Sequence, residues 1–208
     1  KIIYPGINIK KNYIEENISL NQGSPTLLTL ARLEKRKGHE FILQSINKLK
    51  DKYPNIRYII AGEGEEKSKL KTLVQSLNIS KNVIFIGSVN DGEKKFILNK
   101  TDLMIMPTID ESKKLSIEGF GITYIEAALF GIPSIASNVG GTIEAVLHNN
   151  TGIIIDNLDE LDIAISDLIE NKIKMKKLGE NAKKRAQSQL SWDKVIKDYN
   201  KLIAETKL

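Results

Sequence analysis

Short, almost unbroken apolar runs alternate along this chain with longer segments whose apolar residues recur at helical spacing. The runs are Thr26–Ala31, Ile56–Ala61, Val83–Gly87, Leu103–Met106, Pro133–Ser137 and Gly152–Ile155. Strands that are apolar on both faces belong to a parallel sheet covered by helices on either side. Between them, Gly38–Tyr53 places Phe41, Ile42, Ile46 and Leu49 on one face, and Glu65–Leu77 does the same with Leu70, Leu73, Val74 and Leu77. Asp91–Lys100, Ile122–Phe130 and Thr142–Leu147 continue the alternation. After Asp156 the pattern is helical, with Leu158–Glu170, Ile173–Gln189 and Trp192–Thr206. Strand–helix alternation at this spacing predicts right-handed βαβ units. The expected fold is α/β: a doubly wound, mainly parallel, six-stranded Rossmann-like sheet followed by C-terminal helices.

Composition narrows the chemistry. The chain has 208 residues, 41% of them hydrophobic, which suits one domain with a full core. Its net charge is +5, but the lysines are spread over helix faces. The one dense run is Lys172, Lys174, Lys176, Lys177, Lys183, Lys184 and Arg185, and it reads as a solvated helix face, so no nucleic-acid partner is expected. With no cysteine and only His39 and His148, disulfides, thiolate nucleophiles and cysteine-ligated zinc are excluded. A histidine-rich metal site is not expected either. No apolar run approaches the ~20 residues of a membrane span. The opening Lys1-Ile-Ile-Tyr-Pro-Gly-Ile7 is not a signal peptide and reads as a segment already in mid-fold.

In open α/β sheets, ligands bind beyond the carboxyl ends of the strands. The first strand is followed there by Arg32 and Lys37, a guanidinium fork and a point charge for a phosphate. The second ends in Gly62-Glu-Gly64, where glycine permits a tight turn or a close ligand approach. The third leads to Gly87-Ser-Val89. The fourth leads through Pro107 to Glu118-Gly-Phe-Gly-Ile-Thr-Tyr-Ile-Glu126, the most informative stretch of the chain. Gly119, Phe120, Gly121 and Ile122 open a helix whose free N–H groups form an anion site. Gly131 and Pro133 then end that helix. Glu126, set among Ile122, Tyr124, Ile125, Ala127 and Ala128, needs either a ligand hydroxyl or a protein donor. Gly140-Gly141 after the fifth strand is a further candidate anion or sugar contact. Glu144 reads equally as such a contact or as a first-turn acid on its helix.

Taken together, Arg32…Lys37-Gly38, Gly62-Glu-Gly64, Gly87-Ser-Val89, Glu118-Gly-Phe-Gly…Glu126 and Gly140-Gly141 resemble the C-terminal, donor-binding domain of a family 4 retaining GT-B glycosyltransferase. The resemblance covers nearly the whole chain. It implies transfer of a hexosyl group from a nucleoside diphosphate sugar, GDP-mannose or a UDP-sugar, to a glycan or lipid-linked acceptor. It further implies that Arg32 and Lys37 hold the diphosphate and that Glu118 contacts sugar hydroxyls. The main chain of Gly119 to Ile122 then meets sugar or phosphate, Glu126 the ribose, and Val89 and Lys94 border the base, with Gly62 nearby. No metal cofactor is implied. The loop Asp110–Ile117 with Glu118-Gly-Phe-Gly leans toward a mannosyltransferase.

The same resemblance makes residues 1–22 a connection between domains and residues 190–208 a helix packing back toward an N-terminal acceptor domain that this chain lacks. The isolated domain is then expected to be inactive. Cytoplasmic work, peripheral to the inner membrane face, in surface polysaccharide or glycolipid synthesis fits that picture. The alternative is a stand-alone, non-catalytic nucleotide-sugar-binding module. An NAD-dependent oxidoreductase is disfavoured, because no third glycine follows Gly62-Glu-Gly64 and no acid stands at the usual distance after the first strand. Against a sugar-nucleotide epimerase of the same architecture stands the Glu118–Glu126 block.

Overall fold

In the computed structural model, which describes residues 2–8, 20, 23–112 and 116–206, six parallel strands form one sheet. They are β1 (Thr26–Leu30), β2 (Arg57–Ala61), β3 (Val83–Gly87), β4 (Leu103–Met106), β5 (Ser134–Ser137) and β6 (Gly152–Ile155), in the order β3-β2-β1-β4-β5-β6. The helices are α1 (His39–Leu49), α2 (Lys67–Ser76), α3 (Asp91–Asn99), α4 (Ile122–Leu129), α5 (Thr142–Ala145), α6 (Leu161–Glu170), α7 (Lys172–Gln189) and α8 (Trp192–Thr206). The expected doubly wound, Rossmann-like sheet is therefore the fold.

Strand alternation splits the core in two. Leu27, Ile60, Ile105 and Ile135 point to one side, where they pack with Ile42 of α1, Leu70 of α2 and Ile165 of α6. Leu28, Ile59, Met104 and Ala136 point to the other, against Ile97 of α3, Tyr124 of α4 and Ala182 of α7. Each large aliphatic side chain so buried contributes roughly 1.5–3 kcal/mol. Small residues set how close α7 comes: a Cβ on Gly179 would stand 1.9 Å from the Gly131 carbonyl oxygen. Gly131 itself, at φ 77°, closes α4 in the left-handed conformation its sequence position requires.

Several helices are shorter than the periodicity suggests. α1 stops at Leu49, and the chain runs through turns to Pro54, whose ring disfavours helix in the residue before it. The segment from Leu158 starts as a 3₁₀ turn, Leu158–Glu160, with the Asn157 side chain accepting from the Asp159 N–H at 3.0 Å, before α6 begins. Arg185 departs from the solvated face expected of the basic run. It is buried, and its guanidinium donates to the carbonyls of Ala145 (2.6 Å) and Glu144 (2.5 Å), satisfying acceptors at the end of α5.

At the N-terminal end, the Ile7 N–H donates to the Leu190 carbonyl (2.7 Å), and the Trp192 N–H donates back to that of Ile7 (3.3 Å). The Tyr4 ring stacks on Phe120 with centroids 5.4 Å apart. Most of the expected interdomain connection, residues 9–19, 21 and 22, lies outside the described residues. Among the described residues no helix is long and apolar enough to cross a membrane.

Candidate functional site

The strand order reverses between β1 and β4, so their carboxyl ends open the crevice where doubly wound sheets bind ligands. Two loops meet there along the main chain. Gly38 adopts φ 70°, and a Cβ on it would stand 2.0 Å from the Pro107 carbonyl oxygen. The Ile109 N–H donates to the Arg36 carbonyl at 2.8 Å. The turn after β1 is thereby pressed against the chain leaving β4, and only glycine permits that approach.

This contact delivers two cations to one carboxylate. Lys37 Nζ lies 2.5 Å from Glu118 Oε2, and Arg36 Nη1 lies 2.9 Å from the same oxygen. All three side chains are about nine-tenths buried, at 10–12% exposure. The second arm of the Arg36 fork reaches Glu34 Oε2 (3.3 Å), whose other oxygen holds Arg32 Nη1 at 2.7 Å. The result is a chain of alternating charge, Arg32–Glu34–Arg36–Glu118–Lys37, with three cations against two carboxylates. Burying such pairs contributes little net stability. The inner members balance, Arg36 and Lys37 against Glu34 and Glu118, and the third cation, Arg32, stands at the exposed end, where it is available to an anion.

The β4–α4 loop is fixed from its other side by α5. Gly140 and Gly141 lie under it: a Cβ on Gly141 would stand 1.9 Å from the Gly119 carbonyl oxygen, one on Gly140 2.3 Å from that of Glu118. The Gly141 N–H donates to the Glu118 carbonyl at 2.9 Å. The double glycine is thus the support on which the Glu118 loop rests. Gly119, by contrast, has open space around its would-be Cβ. Gly121, at φ 86°, starts α4 with no side chain capping it. Tyr124 ties that helix down by donating to the Met106 carbonyl at 2.6 Å. Burial, and after it the charge of Glu118, push the Tyr124 phenol well above its ordinary range, so it remains a neutral donor.

Glu126 belongs to a second cluster. Its Oε1 accepts from Lys94 Nζ at 2.6 Å, and Lys94 also reaches Asp91 at 3.2 Å. Burial opposes the charge on Lys94, but Glu126 and Asp91 outweigh it and hold the ammonium above its ordinary value. Lys94 stands in the first turn of α3, set by an Asn90–Glu93 capping box. A cavity of about 490 Å³ opens beside this pair, lined by Ile7, Asp91, Lys94, Ile122, Glu126 and Phe130. Another of about 650 Å³ opens beside the first cluster, lined by Arg32, Glu34, Arg36, Gly64, Glu65 and Glu111.

Of the residues expected from sequence, Lys37 and Glu118 are brought into contact, and Lys94 and Glu126 likewise. Arg32 is turned outward, its side chain 74% exposed on Glu34. Gly62 serves close packing, since a Cβ there would stand 2.0 Å from the Ala31 carbonyl oxygen. Val89 is half-buried just before α3. The Phe120 ring is buried on Tyr4, which leaves its main chain as the part able to meet a ligand. Ile122 is half-exposed at the helix start. Arg36 is the site residue that the sequence reading missed. It sits beside Lys37 in a run of charges, and nothing in that run separates an inward-turned cation from a solvated one.

Beneath the β1 loop, His39 is buried with Nδ1 3.0 Å from the Tyr58 hydroxyl. Tyr58 donates to Thr29 Oγ1 (2.8 Å), which donates to the Ile105 carbonyl (2.5 Å). Burial lowers the His39 pKa to about 4; the Arg32 main chain pushes upward and, less than either, the charge of Lys37 downward. Its Nε2 is buried with no hydrogen-bond partner among the described residues.

Comparison with known proteins places the chain in a family. Residues 10–185 match the family described as glycosyl transferases group 1. The chain belongs to that family. Among curated relatives, it is 28% identical over 171 residues to the GDP-mannose-dependent alpha-(1-6)-phosphatidylinositol monomannoside mannosyltransferase of Mycobacterium tuberculosis, covering 81% of this chain and 44% of that protein. Among solved structures, sucrose-phosphate synthase from Thermosynechococcus elongatus superposes with a TM-score of 0.82 at 23% identity, covering 99% of this chain and 52% of that one. The C-terminal domain of a glycosyl transferase group 1 family protein, LpcC, from Francisella tularensis superposes with a TM-score of 0.72 at 19% identity, covering 91% of this chain and 96% of that one. These structures share the GT-B type of Rossmann-like fold. The group 1 chain described here spans about half the length of the curated relatives it matches.

Proposed function

We propose that this chain is the nucleotide-sugar donor-binding part of a retaining hexosyltransferase, with GDP-mannose or a UDP-sugar as donor and a glycan or lipid-linked molecule as acceptor. The observation that carries the reading is the convergence of Lys37, Arg36 and Glu118 at the β1/β4 crevice, beside the uncapped start of α4. Glycosyl transfer breaks the bond between the sugar C1 and the diphosphate oxygen, and negative charge grows on that oxygen. Lys37, Arg32 and the first amides of α4 stabilise it, a role that requires no metal ion. Glu118 accepts hydrogen bonds from sugar hydroxyls. Glu126 accepts from the ribose, with the base against Val89 and Lys94.

Retention is assigned to front-face attack. The acceptor oxygen bonds to C1 on the side the diphosphate leaves, and the departing phosphate takes the acceptor proton. The mannosyltransferase named above favours GDP-mannose as donor. The fold match to the LpcC C-terminal domain, together with the half-length coverage of relatives, supports a donor domain that works with an acceptor domain. Alone it is expected to bind the donor and transfer little.

Calorimetric titration of the chain with UDP, GDP, UDP-glucose and GDP-mannose, with and without magnesium, tests the reading. Binding of one nucleotide series without the metal is expected. Failure to bind any of the four would overturn it.

A further inference from the structure

Arg36 contributes more to the site than one extra charge, and this inference rests on the donor-binding reading above. We propose that Arg36 is a positioning residue that keeps Glu118 in place and charged while Lys37 is released to the donor diphosphate.

Before ligand arrives, Lys37 Nζ and Arg36 Nη1 share Glu118 Oε2, at 2.5 and 2.9 Å. The two cations are not equivalent. Arg36 is held at three points: one arm on Glu118, the other on Glu34 at 3.3 Å, and its carbonyl under the Ile109 N–H at 2.8 Å. A guanidinium fork spanning two carboxylates loses little by staying where it is. Lys37 has Glu118 as its hydrogen-bonding partner, and its ammonium rides on a flexible four-carbon stem. A phosphate reaching the β1/β4 crevice competes for Lys37 more readily than for Arg36.

If Arg36 were absent, drawing Lys37 away would leave Glu118, only 12% exposed, as a buried carboxylate without a counter-charge. Lys37 would then stay on Glu118 and be lost to the phosphate. Arg36 therefore governs diphosphate affinity from a position where its side chain is already committed to two carboxylates. Its Nε, buried and without a hydrogen-bond partner, marks how far the fork is drawn toward them.

The test is a double-mutant cycle read by titration calorimetry on the protein carrying this chain. The probes are the nucleoside diphosphate that the unmutated protein binds and the matching monophosphate. Arg36→Gln is expected to lower diphosphate affinity about tenfold, the scale of one charge-assisted hydrogen bond, while monophosphate affinity changes less than about twofold. Glu118→Gln frees Lys37 without help from Arg36. Its gain in diphosphate affinity is therefore expected to be about tenfold larger in the Arg36→Gln background than alone. Equal gains in both backgrounds, or diphosphate binding by Arg36→Gln as tight as without the substitution, would overturn the proposal. Should Arg36→Gln not fold, Arg36→Met, which removes the charge and keeps much of the side-chain length, carries the same cycle with the same criterion. Absence of nucleotide binding by the unmutated protein strikes the donor-binding reading instead, so the two failures are distinguishable.

Discussion

Lys37 and Glu118 are 81 residues apart in sequence, yet their charged atoms lie 2.5 Å apart between the carboxyl ends of the two central strands. The approach depends on Gly38, which lets the β1 turn close on Pro107. If the site holds a donor diphosphate, Lys37→Ala weakens nucleoside diphosphate binding by roughly tenfold or more, and monophosphate binding far less. Parallel titrations with the two nucleotides check this. Equal losses would place Lys37 away from the distal phosphate. The same comparison applies to Arg32→Ala, because Arg32 must swing in from Glu34 to take part.

Glu126 faces a different partner. If Glu126 accepts from the ribose, its replacement by alanine weakens binding of the whole nucleoside series, monophosphates included, because the ribose is common to all. Unchanged affinity in a folded Glu126→Ala protein would assign the carboxylate to Lys94 alone.

The same pair has a pH signature. Lys94 is held above its ordinary pKa of 10.5 in the folded chain. Its contribution to stability is thus complete below pH 10.5 and is lost as pH rises through the higher folded value. Glu126→Gln is expected to flatten the alkaline limb of the stability curve, measured by denaturant unfolding from about pH 9 upward at ~1-unit steps. A limb as steep as that of the unsubstituted chain would contradict the pairing.

His39 acts at the acid end. Its pKa is about 4 when folded against 6.5 for a free imidazole. The unfolded chain takes up the proton first, so stability falls as pH drops from about 6.5 to about 4, by ~3 kcal/mol in total. His39→Gln, which cannot titrate, is expected to remove that slope while carboxylate protonation continues below it. An unchanged slope between those pH values would show that His39 is not the group responsible.

The double glycine gives a paired prediction. Gly141→Ala puts a methyl group 1.9 Å from the Gly119 oxygen, so the Glu118 loop must shift. A loss of about 2 kcal/mol or more in stability is expected, together with weaker donor binding. Gly119→Ala meets open space, and its stability is expected to stay within about 0.5 kcal/mol. Comparable losses for the two would refute the support role of Gly141.

Much of this is readable in the chain. Strands buried on both faces announce themselves as continuous apolar runs, so β4 and β6 fall where the runs place them, and α8 where its periodicity does. Lys37 and Glu118 stand out because charges and glycines collect where strands end. What stays hidden depends on contacts across the sheet. Arg36 and Arg32 are alike in a charged turn until the β4 loop selects one of them. Arg185 looks solvated beside six lysines until α5 presents carbonyls to it. Gly140 and Gly141 suggest a ligand contact, whereas their close approach is to the main chain of Glu118 and Gly119, far back along the sequence.

The most direct measurement is a crystal structure of the protein with a bound nucleoside diphosphate sugar. The diphosphate is expected at the carboxyl ends of β1 and β4, with Lys37 Nζ moved from Glu118 onto a phosphate oxygen and Glu118 facing sugar hydroxyls. A nucleotide bound elsewhere, or one bound here with the Lys37–Glu118 pair still intact, would contradict that expectation.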